Sequence, residues 1–328
     1  MSQCERFMIG TLGLIVVPLL LASAPISRRE VAITIDDLPF AQSGKGACEF
    51  KRLRASTDRL LAPIRARHVP VTAFAIAGSC ASLSYLERRT ILRSWIAAGA
   101  EIGNHTYSHQ GLNSIPIEKY ERDILRAEPI LKDAIAGRTL RYFRSPMLQT
   151  GPDRATAERL ETFLAAHGYR QAPVTFDNSD WMFAYVVHQA AEDGDQALQD
   201  RARSAYIPYM ESVVAFFERR SIEVVGREFP QVLLIHANDL NAEALPRLLD
   251  MFERRGYRFV TLDWALKDDA YKLPNGYAGP GGFSWIHRWS ITQGMPNKGE
   301  PEEPAWLRDA YEKMGTLSRH NQKAQRAK

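Results

Sequence analysis

Short apolar runs rich in β-branched and aromatic residues alternate along the chain with longer stretches whose apolar residues recur at helical spacing. The runs at 31–35, 71–76, 142–143, 232–235 and 258–261 are closed by turn or polar residues and predict buried strands. The stretches 51–67, 85–98, 117–136, 153–167, 205–220 and 242–255 predict amphipathic helices, several ended by a glycine at Gly99, Gly137, Gly168 or Gly256. This strand-then-helix rhythm recurs about seven times with no linker between units, which predicts a parallel α/β sheet closed or nearly closed into one barrel. Residues 26–274 form that unit. From Asn275 the chain turns to Gly, Pro and Trp (GYAGPGGFSWIHRW) and ends in a charged tail, so 275–328 reads as an appended C-terminal extension.

Composition narrows the class. Hydrophobic residues make up 45% and charged residues 24% of 328, as in an ordinary folded protein, which excludes a disordered or collagen-like chain. The net charge is +4, and the arginines are interleaved with acids rather than gathered into a basic stripe, so nucleic acid is not an expected partner. Residues 1–25 stand apart: an apolar run broken by Gly and Pro leads to Ala22-Ser23-Ala24, as in an export signal. Pro25 is unfavourable after a cut site, so a retained N-terminal anchor is the competing reading; without it no transmembrane span is expected. Both place the folded part outside the inner membrane, periplasmic or secreted. Beyond Cys4, only Cys48 and Cys80 remain, able either to pair in an oxidising compartment or to stay as thiols.

Chemistry enters where strands stop. The run VAITIDDLPF sets Asp36 and Asp37 after a strand that should be apolar on both faces, where two carboxylates need a compensating cation. Past the strand they are no longer forced to opposite faces, so one can bind a metal while the other serves as a base; a solvated turn capping the next helix is the plainer reading. His105 and His109 in EIGNHTYSHQ are four apart, which a helical turn or tight loop can bring to one side. Two histidines and one carboxylate leave a coordination position open, the pattern of a catalytic rather than structural metal. Taken alone, the histidine pair also fits a polar surface turn. No HExxH is present, so nothing points to a zinc protease helix.

The ordered set TIDD (34–37), HTYSH (105–109), FRSP (143–146), DNSDW (177–181) and LLIH (233–236) resembles the five motifs of the polysaccharide deacetylases, carbohydrate esterase family four or the NodB-like homology domain. The resemblance spans about 30–270 and implies a distorted barrel of about seven strands, (β/α)7 and TIM-like. By resemblance Asp37, His105 and His109 hold a divalent metal, and Asp36 is the general base. Arg144 pairs with Asp36, while Arg141 stands off the family spacing and reads as an exposed arginine. His236 is the general acid that protonates the departing sugar nitrogen, oriented by Asp180, and the backbone N–H of Met147 supports the oxyanion. Trp181 and Leu234 line an acetyl pocket or simply pack. Asp177 reads as a turn residue, and Trp285, His287 and Trp289 as core for the extension rather than a sugar platform.

Met147 stands where the family usually has an aromatic residue that shapes the sugar groove, which leaves the substrate class open. The segment 182–221 is helical and charged and either covers the cleft or forms an oligomer face. The expected function is a metal-dependent hydrolase removing N-acetyl groups from the amino sugars of a polysaccharide such as peptidoglycan or a chitin-like glycan. An O-acetyl esterase is its chemical neighbour, and a non-catalytic glycan-binding barrel the alternative of a different class. Zinc is the default cation for Asp-His-His, with cobalt, nickel and manganese also accepted. The sequence gives no oligomeric state.

Overall fold

The computed structural model describes residues 29–41 and 46–326; the expected signal at 1–25 lies outside the described residues. The elements run β1 (Arg29–Leu38), α1 (Phe50–Arg67), β2 (Val71–Ala75), α2 (Tyr85–Ala97), β3 (Glu101–Asn104), α3 (Ile117–Ala134), β4 (Tyr142–Phe143), α4 (Arg154–Ala166), β5 (Arg170–Gln171), α5 (Asp180–Glu192), α6 (Gln196–Val225), β6 (Gln231–His236), α7 (Asp239–Arg254), β7 (Tyr257–Phe259), α8 (Leu262–Ala265), α9 (Trp285–Thr292) and α10 (Ala305–Arg326). Among the described residues no helix is long and apolar enough to cross a membrane.

All ladders are parallel, in the order β5-β4-β3-β2-β1-β6. Val31 pairs with both Gln231 and Phe259, so β7 joins the start of β1 on the edge opposite β6. The chain after β5 returns to β6 through a single bridge, Phe176 with Leu233, which closes the sheet. The result is the expected α/β barrel, distorted because β4 and β5 are two residues each and closure rests on that one bridge.

β1 is an interior strand of the barrel wall. It pairs on both edges and is buried from Val31 to Leu38, which explains its nearly unbroken apolar sequence. Its parallel neighbours all end on the same side, so the loops that follow β1, β3, β4 and β6 converge on one face. Local signals set the helices that follow. Ser84 and Glu87 form a reciprocal capping box at α2. At α7 the Asn238 side chain accepts the Asn241 N–H at 2.7 Å, starting the helix two residues after His236. Cys48 and Cys80 are bonded, tying the chain before α1 to the loop after β2 across 32 residues; closing a loop of that size stabilises by about 3–4 kcal/mol through chain entropy.

The C-terminal segment is more integrated than an appendage. Trp285, His287 and Trp289 are buried as core residues, as expected, and not as a sugar platform. The Trp285 N–H donates to the Val174 carbonyl at 2.7 Å and the Ser284 hydroxyl to that of Thr175 at 2.7 Å, both on the closing segment of the barrel. α10 leans on α5, where Tyr311 meets Trp181 edge-on at 5.4 Å and Tyr185 at 5.0 Å. The 182–221 segment forms most of α5 and α6: α5 borders the cleft while Phe183 packs inward against Tyr206 and Tyr209 of α6.

Candidate active site and metal centre

The two adjacent aspartates lie inside β1 rather than after it. The pairing of β1 with β2 shifts register between Ile35 and Leu38, and Asp37 takes a left-handed φ of 66°. In a regular strand neighbouring side chains point to opposite faces; this bulge lets both carboxylates serve one site. The expectation that they leave the strand was therefore wrong in detail, but the bulge serves the same purpose.

His105 and His109 sit on an irregular loop after β3, with no helical turn between them. The loop is built by short polar side chains. Asn104 accepts the Thr106 N–H at 2.8 Å, Thr106 accepts the His109 N–H at 2.9 Å, and Asp123 of α3 accepts the N–H groups of Tyr107 and Ser108 at 3.2 and 2.9 Å. Thr106 and His109 both take left-handed φ, at 67° and 57°. Such conformations cost about 1–3 kcal/mol each in a non-glycine residue and persist only where surroundings over-determine them.

The triad closes tightly. Asp37 Oδ1 lies 3.2 Å from His105 Nε2 and 3.0 Å from His109 Nε2, and one ligand atom from each residue falls within 4.8 Å of the others. His105 Nδ1 lies 2.8 Å from the Arg144 carbonyl, which can only accept, so this nitrogen carries the proton. In the neutral ring the lone pair of Nε2 then faces the carboxylate. Two lone pairs at that distance repel, and Asp37 Oδ1 is buried with no hydrogen-bond donor. A cation at the junction relieves both problems, which is the test the residues pass for holding a divalent metal.

Asp36 lies beside the triad, its Oδ2 at 3.8 Å from His105 Nε2. Fully buried Arg144 donates to Asp36 Oδ2 at 3.2 Å and to the Thr34 hydroxyl at 3.0 Å, and its guanidinium lies 4.6 Å over the Phe74 ring. The Thr34 hydroxyl donates in turn to the Leu233 carbonyl at 2.6 Å, so the arginine is aimed from three strands. Arg141 is exposed and paired with Glu101 at 2.9 Å, as expected.

On the other side, His236 Nδ1 donates to Asp180 Oδ1 at 2.7 Å. Asp180 Oδ2 also accepts the His236 N–H at 2.8 Å and the Asn241 amide at 2.6 Å, so both oxygens of this fully buried carboxylate are engaged. Burial lowers the affinity of His236 for a proton, but the charge and hydrogen bond of Asp180, with Asp37 and Asp36 beyond, outweigh it and raise its pKa to about 10. Nε2 is left for the cleft.

The cleft has a volume of about 560 Å³ and gathers Asp36, Asp37, both triad histidines and His236, together with Met147, Trp181 and Leu234. All ten residues expected from the motifs therefore converge, Arg144 and Asp180 from behind. Asp177, read as a turn residue, does accept the N–H of Asn178 at 2.9 Å, but it also lines the cleft, and burial pushes its carboxyl up to about 6. Sequence reasoning missed Asn104, Asp123, Asn178 and Asn241, which build the loops, and Glu300 and Tyr311, which reach the cleft from the C-terminal segment. Asn178 was visible within DNSDW and Asn104 within EIGNHTYSHQ; the others carry no motif.

Comparison with known proteins follows the same lines. Residues 24–172 match a family model described as polysaccharide deacetylase. A peptidoglycan-N-acetylglucosamine deacetylase from Bacillus cereus is 29% identical over 124 residues, 38% of this chain and only 38% of that protein's length. Among solved structures, a polysaccharide deacetylase from Bacillus cereus is 18% identical, covering 71% of this chain and 92% of its own, with a TM-score of 0.48. A CE4 family pseudoenzyme from Bacillus anthracis is 16% identical over 73% of this chain and 66% of its own, at 0.47. The matched stretch holds the triad, Asp36, Arg144 and Met147, whereas Asp180 and His236 lie beyond it.

Proposed function

From the match of residues 24–172 to the polysaccharide deacetylase family model, we propose that this chain is a metal-dependent hydrolase that removes N-acetyl groups from the amino sugars of a polysaccharide, peptidoglycan or a chitin-like glycan. The observation that carries the reading is the meeting of Asp37 Oδ1 with two imidazole Nε2 atoms within 3.2 Å, with Asp36 alongside. Asp37, His105 and His109 would hold the cation, zinc by default. A divalent metal there supplies Lewis acidity, acidifying water toward a pKa of about 7 and polarising an acetyl carbonyl.

The chain's own groups divide the remaining work. Asp36, aimed by Arg144, takes a proton from the water that attacks the acetyl carbon. The Met147 N–H donates to the carbonyl oxygen as it gains charge. His236, protonated at Nε2 and oriented through Nδ1 by Asp180, gives its proton to the departing nitrogen, because an amide cannot expel an amine anion. Water and amide thus become acetate and a free amine. Trp181 and Leu234 wall the acetyl group. Export to the periplasm or beyond fits a glycan substrate, and the Cys48–Cys80 bond supports an oxidising compartment.

The test is acetate release from N-acetylglucosamine oligomers, peptidoglycan and O-acetylated xylan, with and without chelator. Release from the N-acetylated substrates, abolished by chelator and restored by zinc, is expected. Release from xylan alone would reassign the activity as an O-acetyl esterase, and sugar binding with no acetate from any substrate would leave only a binding barrel.

A further inference from the structure

The turn that carries Met147 is held from outside the barrel. Met147 and Leu148 are consecutive non-glycine residues with left-handed φ, 51° and 53°, a pairing that short-range forces do not sustain. Within its own loop the turn has two bonds, Leu148 N–H to the Ser145 carbonyl at 3.0 Å and Gln149 N–H to that of Pro146 at 3.1 Å. From the barrel side the Asn113 N–H donates to Gln149 Oε1 and the Gln171 amide to Ser145 Oγ, both at 3.1 Å, and the C-terminal segment supplies the contacts to Met147, Leu148 and Thr150. Arg288 of α9, fully buried, donates to the Leu148 carbonyl and to the Thr150 hydroxyl at 2.6 Å, while its Nε donates to the Phe283 carbonyl at 3.0 Å. Its guanidinium is sandwiched near Trp285 at 4.1 Å and Tyr277 at 5.3 Å. Gly282 presses so closely on the turn that a Cβ there would lie 1.8 Å from the Met147 carbonyl oxygen, a contact only glycine permits. Gly279 N–H adds a bond to the Gly151 carbonyl at 3.0 Å.

We propose that Arg288 and Gly282 are positioning residues for the reaction, a clamp from the C-terminal segment that sets the Met147 peptide at the cleft. The inference rests on the deacetylase reading for its kinetic part and on the packing alone for its structural part. An oxyanion donor is effective only at a fixed distance, and a displacement of about 1 Å can cost on the order of 100-fold. Loosening the clamp should therefore slow the chemical step and leave the metal triad intact. A structural strut with no part in positioning would lower thermal stability and leave turnover at permissive temperature unchanged.

The experiment compares wild type with Arg288→Lys, Arg288→Met and Gly282→Ala at a temperature where all remain folded by circular dichroism. Hydrogen–deuterium exchange is followed on peptides covering 144–151 and 101–109, and kcat and KM on an N-acetylglucosamine oligomer. Exchange over 144–151 is expected to accelerate about tenfold or more in Arg288→Met and Gly282→Ala, with 101–109 unchanged. kcat should fall about 10- to 100-fold with KM within about threefold, and Arg288→Lys should recover part of the loss. If Arg288→Met does not fold, Gly282→Ala and Thr150→Val, which removes a single clamp contact, carry the comparison. Unchanged exchange at 144–151 overturns the clamp. Faster exchange with kcat within twofold of wild type overturns its role in positioning. A wild type without deacetylase activity would instead defeat the functional reading, and the exchange result would still decide the clamp.

Discussion

Asp36→Asn should lower kcat by about 10³-fold while the chain still binds one divalent cation with affinity within about threefold of wild type, since general-base contributions run to 10²–10⁴. The two effects separate because Asp36 stands next to the triad without belonging to it: Asp37, not Asp36, makes the 3.0 and 3.2 Å approaches to the imidazoles. Asparagine keeps the shape and can turn its oxygen toward Arg144, but it cannot take a proton from water. The substitution also strips a counter-charge from a guanidinium with no exposure to solvent. Leaving a buried charge unpaired costs up to about 3–5 kcal/mol, so the melting temperature should fall as well. Kinetics at a temperature well below the new transition, with calorimetric titration of zinc into the apo chain, measure both quantities. Turnover within tenfold of wild type would place the base elsewhere, with Asp177 the next carboxylate in the cleft.

Asp180→Asn should have the second largest effect, a loss of 10²–10⁴ in kcat with a changed pH profile. The carboxylate accepts from the ring, the backbone N–H of residue 236 and the Asn241 amide, so the substitution disturbs both the tautomer and the direction of the imidazole. In wild type His236 has a pKa raised to about 10 despite its burial. The activity limb that requires its proton should therefore extend to alkaline pH, and move down toward the ordinary histidine value in the variant. A bound divalent cation opposes the raised value, so the wild-type limb is expected below 10 in the loaded enzyme. The sign for stability is the same: a raised folded-state pKa contributes fully below about 6.5 and is lost as pH rises through about 10. The stability gap between wild type and Asp180→Asn, measured by denaturant titration in chelator, should thus be widest at acidic pH and narrow on raising it. An identical pH profile in the two proteins would remove Asp180 from its orienting role.

Much of the site was legible because its residues sit at strand ends in ordered motifs, and a parallel barrel brings all such ends to one face. β1, β2 and β6 announced themselves as continuous apolar runs because each is buried on both sides. β3 did not, since EIGN is four residues with Gly and Asn, held in place by pairing with β2 and β4 rather than by its own propensity. β5 is only two residues long and leaves no pattern at all. The left-handed backbone at Asp37, Thr106, His109 and Met147 was equally hidden, because it falls on residues that do not prefer it. The C-terminal segment was misjudged for a related reason. Its glycines suggest an appendage, yet Gly282 is small so that the Met147 turn can approach, while the burial of Trp285 and Trp289 agrees with their reading as core.

The most direct test of the metal centre is cation stoichiometry, by elemental analysis and calorimetric titration, on wild type, Asp37→Ala, His105→Ala and Asp36→Asn. One divalent ion per chain is expected in wild type and in Asp36→Asn, with binding weakened by at least 100-fold in Asp37→Ala and His105→Ala. A wild type that binds no ion, or an Asp37→Ala chain that binds it as tightly as wild type, would contradict the site on which the proposed hydrolysis depends.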